Sequence, residues 1–189
     1  MKLVRLDDAF VLQMGKTPAR DRPEYWGGPN KWVSIADMGK ADGVISRTKE
    51  SLSDVGVQES GIKKVPKGTL LMSFKLSIGK VAVADSDLFT NEAIMAFLDR
   101  GTFDWDRGYL FHLFRGKDWI AGTNKAVMGL TLNKATLSSK TIPHMDIEDQ
   151  RRIAITLDKV CDLIAKRQAQ LAHLDTLAKS LFVEERTAA

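Results

Sequence analysis

The chain has 189 residues, of which 44% are hydrophobic and 28% charged, and 28 Lys and Arg against 24 Asp and Glu give it a formal net charge of +4. This composition is typical of a folded globular protein, and the longest apolar run, residues 93–98, is far shorter than the roughly 20 residues of a membrane span. Because Cys161 is the only cysteine, an internal disulfide and a Cys-rich zinc module are excluded, and we expect a reducing, cytoplasmic location with no membrane partner.

The positive charge is unevenly distributed. All of the net excess lies in residues 1–146, because residues 147–189 contain equal numbers of basic and acidic side chains. The sequence pI is about 9.2. A basic N-terminal part is compatible with a polyanionic partner such as nucleic acid, although many proteins without such a partner have a similar charge.

Up to about residue 143, short apolar segments alternate with Gly, Pro, Asn and Asp, a texture typical of a strand-rich domain. Residues 31–35, 68–74 and 81–84 are predicted strands. The last two are separated by residues 75–80, which contain Gly79, and this spacing predicts a hairpin or another tight connection.

The next segments are less regular. Residues 92–98 form either a buried strand or a short helix, because a short apolar run fits both. A short amphipathic helix is predicted from large side chains at helical spacing, namely Trp105, Tyr109, Leu110, Leu113 and Phe114. Residues 121–125 are predicted to form a loop.

From residue 144 onward the sequence lacks both Gly and Pro and predicts one long helix. Pro143 precedes it, Asp146 is a suitable N-cap, and Glu148 and Asp149 lie in the first turn, where the helix dipole favours acids. Extending to Glu185, the helix would be roughly 60 Å long, far longer than the helices of an average globular domain.

The apolar positions of this helix follow a heptad pattern interrupted by Arg167. We call the resulting stripe the apolar seam, and its members are Ile153, Leu157, Val160, Ile164, Leu171, Leu174, Ala178 and Leu181. A preceding part of this size could not cover the whole seam, which favours a dimerisation or docking helix. The alternative is a long core helix of the same domain. Cys161 lies beside the seam and is expected to pack there.

Catalytic signatures are not found. His112, His144 and His173 lack metal-ligand spacing, and the sequence contains neither a phosphate-binding loop nor a nucleophile elbow. These absences favour a binding module over an enzyme.

Several segments, taken in chain order, match one known family. They are Gly15–Pro18, Pro23–Gly28, Lys31–Asp37, Val65–Ser73, Ser77–Lys80, Thr90–Ala93, Gly122–Thr123, Ile142–Pro143 and Glu148–Ile153. In this order they resemble the specificity subunits of type I restriction-modification systems. The chain has Asn91-Glu92 where the family usually has Asn-Gln, and Asp149-Gln150 where it often has Glu-Gln.

The resemblance implies an α+β fold, with a mixed, strand-rich target recognition domain over residues 1–143 and a long coiled-coil helix over residues 144–189. It implies a non-catalytic subunit that binds duplex DNA and directs modification subunits, and possibly a restriction subunit, to a split site. S-adenosylmethionine and ATP would be bound by those partners, so no cofactor is expected on this chain. With one domain and one helix, a second copy is the simplest partner for the seam, and a two-fold dimer would recognise a symmetric site. The alternatives are a helical assembly adaptor and a half-subunit decoy without specific DNA recognition.

Candidate DNA contacts lie in loops of the basic part, because Lys, Arg and hydroxyl groups hold phosphates and amides can recognise adenine. They are Lys16, Thr17, Arg20 and Arg22 near the N-terminus, Lys75, Ser77 and Lys80 around the predicted hairpin, and Thr123, Asn124 and Lys125 in the later loop. The four tryptophans, Trp26, Trp32, Trp105 and Trp119, are expected to pack in the core.

Overall fold

The structure, a computed structural model, describes residues 1–75, 77–121 and 132–187, with backbone only from residue 181. Its strands and helices follow in the order β1 (Lys2–Arg5), α1 (Leu6–Ala9), β2 (Phe10–Met14), β3 (Trp26–Val33), α2 (Ile35–Lys40), β4 (Val44–Ile45), β5 (Glu50–Leu52), α3 (Asp54–Ser60), β6 (Leu70–Ser73), β7 (Val81–Ala84), β8 (Phe89–Thr90), β9 (Ile94–Asp99), α4 (Arg107–Gly116), α5 (Lys134–Ser138), β10 (Thr141–His144) and α6 (Ile147–Thr187). The predicted α+β fold is confirmed.

The centre of the fold is a five-stranded sheet with the order β2-β9-β6-β7-β4. Its neighbours are antiparallel except for β4 and β7, which are parallel. The hairpin between β6 and β7 is confirmed, and Gly79 makes its turn at φ +87°. The ambiguous apolar run forms strand β9, which pairs with β2 and β6 along its two edges and has its first four residues buried.

Both faces of this sheet are covered, which explains the continuous apolar runs of its central strands. Leu70 and Met72 face a core that includes α4 and α5, whereas Leu71 between them faces a second core beneath α2. In the first core, the rings of Phe97 and Phe114 lie 4.8 Å apart in an edge-to-face contact. Trp32 and Trp119 are almost fully buried, and Trp26 and Trp105 pack at the edges of their cores, as expected.

The prediction of a strand over residues 31–35 was only partly right. Strand β3 begins earlier, at Trp26, and ends at Val33. Ser34 then caps α2, because its hydroxyl accepts from the Asp37 amide and the Asp37 carboxylate accepts from the Ser34 amide. This capping box begins a helix at Ile35, inside the predicted strand.

The helix α6 has 41 residues and begins at Ile147, as predicted from Asp146. Its described side chains are exposed throughout residues 155–180, which excludes the alternative of a core helix of the same domain. The expectation that Cys161 packs was wrong. Its thiol is exposed and lines an open cavity between α6 and the globular part.

Candidate nucleic-acid interface

Two of the predicted clusters lie at the same end of the five-stranded sheet. Residues 15–22 follow β2, and residues 74–80 connect β6 to β7. Met14 pairs with Met95 and Ser73 with Ile94, so the ends of β2 and β6 meet at the beginning of β9. Short backbone hydrogen bonds fix both segments to this point, including one from the Lys16 amide to the Thr90 carbonyl (2.8 Å).

Arg20 is bound within its own domain. Its guanidinium lies 3.8 Å from the Trp26 ring centroid and 5.0 Å from that of Trp32. It also donates two hydrogen bonds to the Glu50 carboxylate, at 2.5 and 3.1 Å. These bonds hold the pKa of Glu50 below its ordinary value. Arg20 is therefore stacked and paired within the chain.

The other members of this cluster also have internal partners. Arg22 donates to the Tyr25 hydroxyl (2.8 Å) and to Glu59 (3.1 Å). The hydroxyl itself donates to Glu59 (2.7 Å), which raises the pKa of Tyr25. The Lys16 ammonium donates to the Ser60 carbonyl (2.6 Å). The Thr17 hydroxyl donates to the Glu92 carboxylate. Their contact with DNA stays a prediction.

The described residues of the hairpin connection are held by hydrogen bonds of Ser73, and its lysines have fewer internal partners. The Ser73 hydroxyl accepts from the Lys80 amide (3.0 Å) and donates to the Ser77 carbonyl. The Lys75 ammonium lies 5.3 Å from the Phe74 ring centroid, and the Lys80 ammonium lies close to Gly39 of α2. In the described residues neither lysine forms an ion pair. Thr123, Asn124 and Lys125 lie outside the described residues.

The joint between the globular part and α6 was not predicted from the sequence. The Gln150 side chain is fully buried, donates to the carbonyls of Asp104 (2.9 Å) and Met145 (2.8 Å), and accepts from the Asp106 amide (2.9 Å). Both donors of the amide and its carbonyl oxygen thus fix the first turn of α6 to the start of α4. The sequence feature that could have indicated this contact is a glutamine one turn into the helix, three positions before the apolar Ile153.

A second contact lies one to two turns further along α6. His112 Nε2 of α4 lies 2.7 Å from Asp158 Oδ1. The two helices also approach closely where Gly108 faces Ala154, since a Cβ at Gly108 would lie 3.1 Å from the Ala154 Cβ. Together with Gln150, these contacts set the direction in which α6 leaves the globular part. His112 seemed isolated in the sequence because its partner is 46 residues away.

Beyond the joint, the apolar seam is uncovered. Ile153 is partly buried, but Leu157 is 38% exposed and Leu171 is 64% exposed. The other described seam members, Val160, Ile164, Leu174 and Ala178, are exposed as well, and the side chain of Leu181 lies outside the described residues. An apolar stripe of this length on a free helix is typical of a surface that a partner covers.

Within the described residues, no group of three or more His, Cys, Asp or Glu side chains is placed to hold a metal ion. None of the described helices is both long enough and apolar enough to cross a membrane.

Comparison with known proteins gives a consistent result. The model of the type I restriction modification DNA specificity domain matches residues 1–173. The type I restriction enzyme MjaIX specificity subunit of Methanocaldococcus jannaschii is 31% identical over 94% of this chain and 42% of its own length. The HindI specificity subunit of Haemophilus influenzae is 27% identical over 49% of this chain and 20% of its own length. The chain thus spans less than half of these relatives.

Solved structures have the same fold. A chain from a study of complex assembly and conformational transition of the type I R-M system matches 95% of this chain and 43% of its own length, with a TM-score of 0.75 at 20% identity. The HsdS subunit from Thermoanaerobacter tengcongensis matches 87% of this chain and 38% of its own length, with a TM-score of 0.65 at 20% identity. The family model covers both the sheet and most of α6, so this chain belongs to the family of type I restriction-modification DNA specificity subunits.

Proposed function

We propose that this chain is a non-catalytic subunit that recognises duplex DNA and directs the modification subunits of a type I system to a split site. The observation that carries the proposal is the match of the specificity-domain model to residues 1–173, which includes both the globular part and the helix. In this proposal residues 1–143 are the target recognition domain, and residues 144–189 space and dock the subunits. S-adenosylmethionine and ATP are bound by the modification and restriction subunits.

The second copy of the chain is the partner we propose for the apolar seam. Support comes from the exposure of the leucines on α6. Two copies related by a two-fold axis would present two identical domains and recognise a symmetric sequence. The spacing between its two halves would depend on how the joint at Gln150 directs the helix.

The recognition role is tested by purifying the chain with its modification subunit and selecting duplexes from a random library at near-physiological salt. The proposal predicts enrichment of a split, two-fold symmetric motif. A stable complex that enriches no motif would contradict it and would favour an assembly adaptor or a decoy half-subunit.

The dimer is tested separately by replacing Leu171 and Leu174 with Glu. Because each buried leucine stabilises a helical interface by ~1.5–3 kcal/mol, the variant should be a folded monomer by light scattering and circular dichroism. Replacement of the exposed Lys166 and Lys179 with Glu is the control, because neither belongs to the seam. A variant that remains dimeric would exclude pairing through the seam.

A further inference from the structure

A set of cations that the sequence analysis did not select lies around β4. Lys40, Arg47 and Lys49 are all exposed, and none of them forms an ion pair with the described residues. They line a cavity of about 520 Å³ together with the hydroxyl-bearing Ser46 and Thr48. The ammonium, guanidinium and hydroxyl groups of these side chains are the kinds that bind phosphate oxygens.

One acid in this cavity is already engaged by the chain. Asp37 is buried, and one of its oxygens accepts from the amide and the hydroxyl of Ser34 at 2.9 and 2.7 Å. Its other oxygen accepts from the Lys49 amide (3.1 Å). Asp37 therefore fixes the backbone between α2 and β5 and pairs with none of the three cationic side chains.

The cavity continues along the surface. It shares Ala41 and Asp42 with a neighbouring cavity of about 180 Å³, whose cations are Lys80 and Arg115. We call these two adjoining cavities the basic groove. A third cavity of about 630 Å³ shares Asp42 and Arg115 with the second and extends the concave surface to α6.

The charge of the basic groove is strongly positive. Its cations are Lys40, Arg47, Lys49, Lys80 and Arg115, and its acids are Asp37 and Asp42. The third cavity has no such positive excess, because Asp42, Asp158 and Asp162 oppose its two arginines. A concave surface lined by one sign of charge concentrates the field and attracts the opposite charge.

The arrangement suits a linear polyanion better than a single small anion. Its cations come from α2, the β4–β5 segment, the hairpin and α4, so they are distributed along a continuous surface and do not converge on one point. The phosphates of duplex DNA repeat along such a line and are held by Lys, Arg and hydroxyl groups. We infer that the basic groove contacts the phosphate backbone of duplex DNA, an inference that rests on the proposed function and assigns its main electrostatic contacts.

The test compares Arg47→Ala/Lys49→Ala with Lys63→Ala/Lys64→Ala. Both variants lose two positive charges, but Lys63 and Lys64 are exposed outside the groove. Their carbonyls, which accept from Gln13, are retained in the control. The full chain, purified with its modification subunit, is titrated with a labelled random-sequence duplex over a series of salt concentrations, and melting temperatures verify folding.

The groove variant should bind DNA about sixtyfold more weakly at 0.1 M salt, about eightfold for each of two lost phosphate contacts. Its slope of log affinity against log salt should fall by about 2, since each lost contact lowers it by about 0.9. The control variant should keep the wild-type slope.

If the DNA affinity of the wild-type complex falls steeply with salt and both variants behave alike, the groove assignment is wrong while the proposed function stands. If the wild-type complex shows no salt-dependent DNA binding, the proposed function fails as well. Loss of the modification subunit with an unchanged slope would identify an acidic protein surface as the occupant and overturn the assignment.

Discussion

The N-terminal arginine cluster, Arg20 and Arg22, and the basic groove contain the same kinds of cationic side chain, but they differ in whether those side chains are paired with acids. Arg20 and Arg22 are paired with Glu50 and Glu59, whereas Arg47 and Lys49 form no ion pair with the described residues. The first pair of arginines stands out in the sequence as a basic cluster, yet the fold neutralises it. A charge is available to a partner only when the tertiary structure leaves it without an internal one.

This difference separates two roles for surface cations. Arg20 stacks on Trp26 and connects it to β5 through Glu50, so its loss should affect folding first. Arg47 lines an open cavity, so its loss should affect binding first. Four measurements test the distinction, beginning with the largest expected effect.

Arg20→Ala should lower the free energy of unfolding by about 1–2 kcal/mol, from the lost stacking and the half-exposed ion pair. Arg47→Ala should change it by less than about 0.5 kcal/mol, as is usual for a free surface residue. Urea unfolding followed by tryptophan fluorescence measures both. Equal losses for the two variants would remove the distinction.

For DNA affinity, the Arg47 substitution should have the larger effect and the Arg20 substitution the smaller one. Arg47→Ala alone should weaken duplex binding by the modification complex roughly eightfold at 0.1 M salt, the value of about one phosphate contact. Arg20→Ala, measured where the variant is fully folded, should leave the slope against salt unchanged. A slope that falls for Arg20→Ala would show that this guanidinium exchanges Glu50 for phosphate when DNA binds.

Asp42→Asn should strengthen DNA binding by a few fold at low salt, because it removes a negative charge from the centre of the groove. The gain should disappear as salt is raised. Asp54→Asn, a matched loss of one exposed acid outside the groove, is the control. A weaker complex for Asp42→Asn would instead indicate that this carboxylate accepts a hydrogen bond from a base.

The smallest expected effect is the change in folding stability at acidic pH. The hydrogen bonds from Arg20 lower the pKa of Glu50 from its ordinary value of 4.5. The folded state therefore favours the ionised carboxylate, and this contribution to stability is complete above the ordinary pKa and is lost as the pH falls through the lowered one. Glu50→Gln should be less stable than wild type at neutral pH, and the difference should shrink in acid. A difference that does not vary with pH would contradict the pairing.

Much of the fold could be predicted because it depends on local patterns. The hairpin between β6 and β7, the helix α4 and the start of α6 all follow from apolar spacing and from cap or turn residues such as Asp146 and Gly79. The strand predicted over residues 31–35 was wrong at its end, since a capping box between Ser34 and Asp37 competes with β propensity there. The run over residues 92–98 could not be assigned, because its strand form depends on the neighbours β2 and β6.

The candidate site was less predictable. The apolar seam was evident from its heptad spacing, and Lys80 was selected as a loop cation that does line the groove. Lys40, Arg47 and Lys49 were not selected, because they are scattered over ten residues of ordinary polar sequence. The joint was missed for a similar reason: Gln150 contacts the backbone of residues 104 and 106, which no local pattern connects to it.

By itself, the sequence determined the α+β class, the long helix with its seam, the basic character of the first part and the resemblance to specificity subunits. The class, the helix and the basic character follow from periodicity, caps and composition, which act between residues a few positions apart. The resemblance depends instead on short motifs matched in chain order. Only the tertiary structure decided which cations are neutralised, which line the groove and how α6 leaves the domain. Arg20 and Glu50 are 30 residues apart and His112 and Asp158 are 46 apart, and contacts over such separations exist only once the sheet has brought its loops together.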